Sequence, residues 1–280
     1  MKEHSYYKDT PIEEIEFPNA DLRRVGHLVR NVRPIPGYRA VVDKNTDRTF
    51  AIVKDGYQLV RHEDAITQLD EIVREHPEWG EPVREIWMSN HGGRMKTRWM
   101  FPEVEFEIGK TSDGKPDTVN PTIETFCSLD TSLARALFLG GFRLICTNGM
   151  KVGKTLAEYK HKHTASLDLH YARSIISQGI ADYSKATGMW LSFKQRNAFM
   201  KEVNAFEVIG FNKEERESVE VSIKRKAQKL IAWDNDPDER KVEINAWDLY
   251  NIFTDEASHR ISDITRQQKV FVNIANAFVY

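Results

Sequence analysis

Residues 83–99, VREIWMSNHGGRMKTRW, contain two runs of alternating side chains on either side of a glycine-rich turn. Val83 to Ser89 and Arg94 to Trp99 have the length and the β-branched and aromatic content of strands. Between the two runs, Gly92 and Gly93 tolerate the positive φ angles that tight hairpin turns require. The pattern therefore predicts an antiparallel β-hairpin in the first half of the chain.

The second strand of this hairpin has a basic face. Because successive side chains of a strand point to opposite faces, Arg94, Lys96 and Arg98 share one face. Met95 and Trp99 lie on the other face. The basic face is a candidate contact surface for a nucleic-acid backbone.

More strand patterns lie on both sides of the hairpin. Residues 38–42 and 49–53 are β-rich runs joined by a polar turn at 44–47. Gly140-Gly141 is predicted to interrupt the strand pattern, and Asn148-Gly149 is predicted to form a turn. Further strands are predicted at 57–60, 103–108, 122–127, 134–139 and 142–146.

Helical spacing of apolar residues appears at 65–73 and dominates the chain after about residue 160. Asn212 and Asn245 are predicted N-caps, and Glu215 completes a capping box with Asn212. Helices are predicted at 65–73, 169–183, 193–206, 212–230, 245–253 and 264–278.

Strands followed by helices predict an α+β fold. Its strand-rich N-terminal half would contain an antiparallel sheet and one helix, and its C-terminal part would be mostly helical. We expect an antiparallel β-rich α+β domain over residues 1–160 and a helical region packing on it over residues 161–280.

The bulk composition limits the class of protein. The formal net charge is −2 and 40% of the residues are hydrophobic, which is typical of a globular protein with a buried core. No apolar stretch approaches the roughly 20 residues of a membrane span, and Met1 leads into polar residues rather than an apolar segment. The two cysteines, Cys127 and Cys146, fit a reducing compartment. We therefore expect a cytoplasmic protein with no membrane partner.

One segment departs from the mildly acidic average. Residues 151–200 carry 8 basic and 3 acidic side chains, interleaved with aromatic residues. Proteins that bind single strands combine cations, which contact phosphates, with aromatic rings, which stack on bases. Tyr159, Tyr171 or Trp190 would supply the aromatic rings here. The candidate nucleic-acid-binding residues are Arg94, Lys96, Arg98, Arg143, Lys151, Lys154, Tyr159, Lys160, Lys162, His163 and Arg173.

The structural alternative is that these aromatic residues pack in a core and the lysines cover solvent-exposed surface. A solvated helix face also explains the basic cluster at 224–226. A continuous groove for a nucleic acid would require a homo-oligomer.

Nucleophilic or metal chemistry has weaker support in the sequence. Cys146 would need a histidine beside it to act as a nucleophile. His161 and His163 have a spacing that can hold one ion from a strand, but no carboxylate or cysteine clusters with them. P-loop, GxGxxG and HExxH patterns are absent from the sequence. We expect no cofactor, no metal and no catalytic residue, with an uncharacterised enzyme using these residues as an alternative.

Three stretches carry a family resemblance: GFRLICTNGM at 141–150, His163-Thr164, and AWDLYN at 246–251 together with Thr254 and His259. Together they resemble the Domain-of-Unknown-Function 932 family of phage, prophage and plasmid proteins. The runs at 38–41 and 55–57 also fit that family's opening strands. The resemblance implies a mobile-element origin and the host cell cytoplasm, and it transfers no catalytic residue.

These observations lead to one main functional hypothesis. The chain would be a phage or plasmid protein of DNA metabolism that binds single-stranded DNA, with strand annealing or recombination as a candidate role. The alternative is a protein-binding factor that inhibits a host defence system. Its expected signature is an exposed apolar patch, and residues 271–280 form an unusually apolar chain end.

Overall fold

The computed structural model describes residues 3–29, 31–110, 114–133, 135–143, 148–151, 158–161, 174, 187–227 and 244–278. They form the expected α+β fold, with antiparallel sheets in the N-terminal half and most helices in the C-terminal part. Within these ranges no helix is both long enough and apolar enough to cross a membrane.

The strands, in chain order, are β1 (Ser5–Lys8), β2 (Ala20–Val29), β3 (Asn31–Asp43), β4 (Thr49–Lys54), β5 (Val83–Ser89), β6 (Arg94–Met100), β7 (Phe106–Lys110), β8 (Pro116–Ser128), β9 (Arg135–Arg143), β10 (Asn148–Lys151) and β11 (Glu158–His161). Strands β2, β3 and β4 form a three-stranded sheet in that order. The others form an eight-stranded sheet in the order β1-β5-β6-β8-β9-β10, with β7 paired to β8 and β11 paired to β9.

The helices are α1 (His62–Arg74), α2 (187–195), α3 (Met200–Val203), α4 (Phe206–Ile209), α5 (Lys213–Lys226), α6 (Ala246–His259) and α7 (Ile264–Phe278). Short 3-10 turns occur at Ile12–Glu14 and Pro77–Trp79. The predicted caps at Asn212 and Asn245 are confirmed, because each side chain accepts a hydrogen bond from a backbone N–H of the first turn.

The predicted hairpin of residues 83–99 is confirmed as β5 and β6. The two strands pair from Val83 opposite Met100 to Ser89 opposite Arg94. Three successive turn residues, Asn90, His91 and Gly92, have φ angles of 51°, 54° and 80°. At Gly93 a Cβ atom would lie 3.0 Å from the Asn90 carbonyl oxygen. The glycines are therefore required by the shape of this turn.

Several predicted elements take a different form. Residues 57–60 are not a strand. Gly140-Gly141 does not interrupt the strand, because β9 runs through both glycines to Arg143. Asn148 and Gly149 begin β10, opposite Arg143 and Phe142. Hydrogen bonding between β9 and β10 thus overrides the local turn preference of these residues.

The helix predicted at 193–206 is divided into α2, α3 and α4. Asn197 forms a β-bridge with Asn245, and the Ala198 N–H donates to the Ile244 carbonyl. These backbone groups are therefore not available for a continuous helix. The predicted helix at 169–183 lies outside the described residues, apart from residue 174, which is helical.

The chain divides into two compact units, each made from three stretches. Unit 1 comprises Met1–Phe101, Ile123–Phe138 and Glu158–Ile176, and unit 2 comprises Pro102–Thr122, Leu139–Ala157 and Ser177–Tyr280. In unit 1, α1 buries Ile66, Leu69 and Ile72. Its Asp70 accepts hydrogen bonds from the Arg84 guanidinium and the Trp99 indole N–H.

Unit 2 has an aromatic core between its helices. The buried ring side chains include Trp190, Phe193, Trp247, Tyr250, Phe253 and Phe278. Trp190 is 0% exposed, and its ring centroid lies 6.3 Å from that of Trp247. Trp190 therefore packs in the core and is not available for the predicted stacking on bases.

Phe271, Ile274 and Phe278 of the apolar chain end are also buried, so they do not form the exposed patch that the protein-binding alternative requires.

We expect the Asn212→Ala variant to lose about 1 kcal/mol of unfolding free energy, because an N-cap side chain satisfies a free backbone N–H. The Asn212 Oδ1 accepts from the Glu215 N–H at 2.9 Å, and the Glu215 Oε2 accepts from the Asn212 N–H at 2.9 Å. Urea denaturation measures the change. The Asn212→Ser variant keeps the capping oxygen and should stay close to the wild type, and an equal loss in both variants would contradict a capping role.

Candidate nucleic-acid interface

Many of the residues predicted to bind nucleic acid lie outside the described residues: Lys154, Lys162, His163 and Arg173, as well as Tyr171 and Cys146 of the wider hypotheses. Four others lie on described strands. Arg143 is on β9 and Lys151 on β10, while Tyr159 and Lys160 are on β11. Lys151 pairs with Gly140 and Lys160 pairs with Ala136, so β10 and β11 both pair with β9.

Two cations of the basic segment 151–200 have described side chains, and both contact buried carboxylates. The Lys194 Nζ lies 2.5 Å from Asp117, and the Arg196 guanidinium lies 2.6 Å from Glu202. Both carboxylate side chains are 0% exposed. These two cations therefore serve unit 2 as ion-pair partners.

The basic face of β6 lies in an ion-pair network. Lys96 and Arg98 have side chains only 4% and 7% exposed. The Glu124 Oε1 lies 3.2 Å from the Lys96 Nζ and 2.9 Å from the Arg98 Nε. Arg94 is more exposed, and its Nε lies 2.6 Å from Asp130. A phosphate bound here would have to compete with these carboxylates.

A different basic surface lies on the three-stranded sheet. Between Asp21 and Asp43 the chain has no acidic residue, and it has five arginines: Arg23, Arg24, Arg30, Arg33 and Arg39. Strands β2 and β3 span this segment as an antiparallel hairpin. We call residues 20–43 the arginine hairpin.

The arginine hairpin has a three-stranded base and a two-stranded distal half. At the base, residues 20–24 of β2 pair with residues 39–43 of β3, and β4 pairs with β3 over residues 38–42. In the distal half, residues 26–29 pair with 31–34 after a register shift. Every residue from 33 to 39 is exposed. Residues 33–38 are therefore surface positions rather than part of a core.

The base of the hairpin is held firmly in unit 1. Ala20, Val41 and Val53 are buried with Leu129 in one cluster. The buried Asp43 carboxylate accepts hydrogen bonds from the Asn19 and Asn45 N–H groups and from the Thr46 hydroxyl. The strand ends at the base are thus fixed in unit 1. A cavity of about 380 Å³ beside this base is lined by Asp43, Thr46, Arg48 and His91.

The positive charge of the hairpin is only partly compensated. Arg23 lies 2.8 Å from Asp47, and Arg39 lies 3.2 Å from Asp55, both as solvent-exposed pairs. Arg24 and Arg33 are exposed, and within the described part of the chain neither makes an ion pair or a side-chain hydrogen bond.

Arg24 also lies directly opposite Arg39 in the strand register. Like charges facing each other across a strand pair are destabilising. Asp55 lies beside Arg39, so Arg24 is the cation of this facing pair that makes no described ion pair and can take an anionic ligand.

Unit 2 contains a separate charged cavity of about 330 Å³, lined by Asn212, Glu214, Glu215, Glu256, Arg260, Ile261, Ser262, Asp263 and Arg266. Burial raises the pKa of Glu256 above its usual range, although its Oε2 accepts a hydrogen bond from Ser218. Glu215 is held by a two-pronged contact with Arg266. Most of the charge in this cavity is thus engaged within unit 2.

The nucleophile hypothesis and the His161/His163 hypothesis stay predictions, because Cys146 and His163 lie outside the described residues. The other cysteine, Cys127, is described. Burial raises the pKa of the Cys127 thiol to about 11, so it is a protonated, unreactive thiol at neutral pH. Among the described residues, no group of three or more His, Cys, Asp or Glu side chains could hold a metal ion.

Comparison with protein-family models matches residues 49–277 to Domain of unknown function (DUF932). Searches of curated proteins and of solved structures gave no match. The match begins at β4 and reaches the last turn of α7, including the stretches at 141–150 and 246–251 that carry the resemblance. The chain therefore belongs to the DUF932 family.

Proposed function

We propose that the chain binds single-stranded DNA as a phage or plasmid protein of DNA metabolism, and that the arginine hairpin is a principal contact. The observation that carries this proposal is the acid-free segment of residues 22–42 with its five arginines, of which Arg23, Arg24, Arg33 and Arg39 are exposed. Strand annealing or recombination is the candidate role, and it calls for a homo-oligomer that extends the contact surface.

Arginine suits this role because its planar guanidinium can donate two hydrogen bonds to one phosphate. Arg24 and Arg33 lose no described ion pair when they bind a ligand, whereas Lys96 and Arg98 would have to leave Glu124. The overall net charge of −2 means that attraction to DNA is local to the hairpin rather than general.

The residues predicted from position 143 onward stay in the proposal as a second group of contacts: Arg143, Lys151, Lys154, Tyr159, Lys160, Lys162, His163 and Arg173. Their contribution is separable from that of the hairpin, because each group can be neutralised by its own substitutions.

The double variant Arg24→Ala/Arg33→Ala tests the proposal. We expect wild-type binding to a fluorescent 30-nucleotide dT oligonucleotide to weaken steeply between about 50 and 200 mM salt, because bound cations release counterions. The variant should bind about tenfold more weakly at low salt. Its plot of log affinity against log salt should be shallower by about 1.4, since each lost single-strand phosphate contact removes about 0.7. Fluorescence anisotropy measures both quantities.

The matched control is Lys224→Ala/Arg225→Ala, which removes the same formal charge from the exposed end of α5. It should bind as the wild type does. Wild-type binding that is absent or independent of salt would overturn single-strand binding itself. Equal losses in the two double variants would show that the hairpin is not the contact.

A further inference from the structure

We propose that Tyr38, with Ile52 beside it, is the platform on which the arginine hairpin stacks an unpaired base, so that this pair selects single strands over duplex. The inference rests on the proposed DNA binding and adds to it the residue that recognises the base. Tyr38 is 45% exposed and Ile52 is 54% exposed.

The strand register places these two side chains on one face of the sheet. Tyr38 pairs with Lys54, and Ala40 pairs with Ile52, so Tyr38 and Ile52 are diagonal neighbours. Arg23 is opposite Ala40 on the other side of β3 and therefore shares this face. This face thus carries the Tyr38 ring and the Ile52 side chain. Arg23 lies beside them on β2, and Lys54 lies beside them on β4.

The opposite face of the same strands supplies the packing. Val41 and Val53 point to that face and are 0% and 8% exposed. Tyr38 makes no side-chain hydrogen bond or ring contact with another described residue. The fold therefore gains little from an aromatic residue at position 38.

The backbone holds Tyr38 at an irregularity in the hairpin. Arg24 pairs with Arg39 and Gly26 pairs with Pro34, so residues 35–38 bulge out of the β2–β3 ladder. Gly37 has a φ of 81°, and its carbonyl accepts a hydrogen bond from the Asp55 N–H. Bulges redirect side chains and are common at functional sites. Along β3 this bulge lies between Arg33 of the distal half and the base, where Tyr38 shares its face with Arg23, while Arg24 and Arg39 lie on the opposite face.

The chemistry of the patch identifies its occupant. An exposed apolar patch flanked by cations fits a ligand with an apolar flat surface and an attached anion. A nucleotide of a single strand has both, and every base offers a face for stacking. In a duplex these faces are already covered by neighbouring base pairs. The patch therefore distinguishes unpaired from paired DNA.

The test compares two oligonucleotides of equal length, a dT 30-mer and a 30-mer of abasic sites that keeps the phosphates and lacks the bases. The Tyr38→Ala variant should bind the dT 30-mer about tenfold more weakly than the wild type, within the range that stacking one base contributes. It should bind the abasic 30-mer as the wild type does, and its salt dependence should be unchanged. Tyr38→Phe keeps the ring and should bind dT within about twofold of the wild type.

Tyr6→Ala removes another exposed tyrosine of unit 1, on β1 of the eight-stranded sheet, and should leave dT binding unchanged. Equal losses of Tyr38→Ala on both oligonucleotides, or no loss on dT, would overturn the stacking role. If Arg24→Ala/Arg33→Ala loses affinity for the dT 30-mer and Tyr38→Ala keeps the wild-type affinity, stacking is overturned and DNA binding by the hairpin is kept. Absence of wild-type binding would overturn DNA binding itself, and stacking with it.

Discussion

Replacing Glu124 with alanine is expected to lower the unfolding free energy of unit 1 by about 3–5 kcal/mol, the usual cost of removing one partner of a buried ion pair. Its side chain is 6% exposed, and the Oε1 lies within 3.2 Å of both the Lys96 Nζ and the Arg98 Nε. The alanine variant removes the carboxylate that these two buried cations share, while Arg98 keeps Glu85 at 3.5 Å. Urea denaturation followed by circular dichroism measures the change.

Two control variants separate this ion pair from general effects of substitution. Glu124→Gln keeps the side-chain volume and an accepting oxygen but removes the charge, so its loss should be smaller than that of alanine. Glu217→Ala removes an exposed helix carboxylate that lies 4.0 Å from Lys213. Surface pairs contribute about 0–1 kcal/mol, so this variant should stay near the wild type. A Glu124→Ala loss as small as that of Glu217→Ala would contradict the structural role of the network.

The same variant also tests the predicted nucleic-acid role of Lys96 and Arg98. If these cations bind phosphate, removal of their competing carboxylate should strengthen binding to the dT oligonucleotide. If they serve only unit 1, the folded fraction should bind as the wild type does. Anisotropy measured under conditions where the variant is folded distinguishes the two outcomes.

Short sequence patterns predicted the elements whose hydrogen bonds form between residues close together in the chain. Alternation and a glycine turn indicated β5 and β6, and the Asn212-Glu215 pair indicated the start of α5, because each pattern fixes its own hydrogen bonds. Alternation also placed Arg94, Lys96 and Arg98 on one face. It could not show that Glu124, which is 26 residues from Arg98, lies against that face.

The arginine hairpin was missed for two physical reasons. Pro34, Pro36 and Gly37 are typical strand breakers, and here they are accommodated by a bulge and by exposed strand positions. The net charge taken over the whole N-terminal half also hides the arginines of residues 22–42, because acidic residues lie on both sides of them. A scan for segments free of Asp and Glu would have found this stretch. Trp190 illustrates the opposite error, because an aromatic residue among cations can equally belong to a core.

Acidification from pH 7 to pH 4 is expected to cost unit 1 about 3 kcal/mol through His62 alone. His62 is the first residue of α1 and is 1% exposed. Its Nε2 lies 2.7 Å from the Gly92 carbonyl oxygen, which only accepts, so the Nε2 carries the proton of the neutral ring. Burial lowers the pKa of His62 from 6.5 to about 4, and its contact with Gly92 opposes this shift only in part.

The direction of the effect follows from which state binds the proton. Above about pH 6.5 the imidazole is neutral in both states, and folding carries no proton cost. Between about pH 6.5 and pH 4 the unfolded chain takes up a proton that the folded chain excludes. Each pH unit in this window therefore lowers the unfolding free energy by about 1.4 kcal/mol. Below about pH 4 both states are protonated and the loss levels off.

The His62→Gln variant isolates this residue, because glutamine can donate to the Gly92 carbonyl and does not titrate. The carboxylates that lose their ion pairs in acid are present in both proteins, so their contribution cancels in the difference. The unfolding free energy of the wild type minus that of His62→Gln should fall by about 3 kcal/mol between pH 7 and pH 4. Urea denaturation at closely spaced pH values gives this difference. A difference that stays constant with pH would show that His62 is protonated as readily in the fold as in the unfolded chain, which is incompatible with its burial at the junction of α1 and the β5–β6 turn.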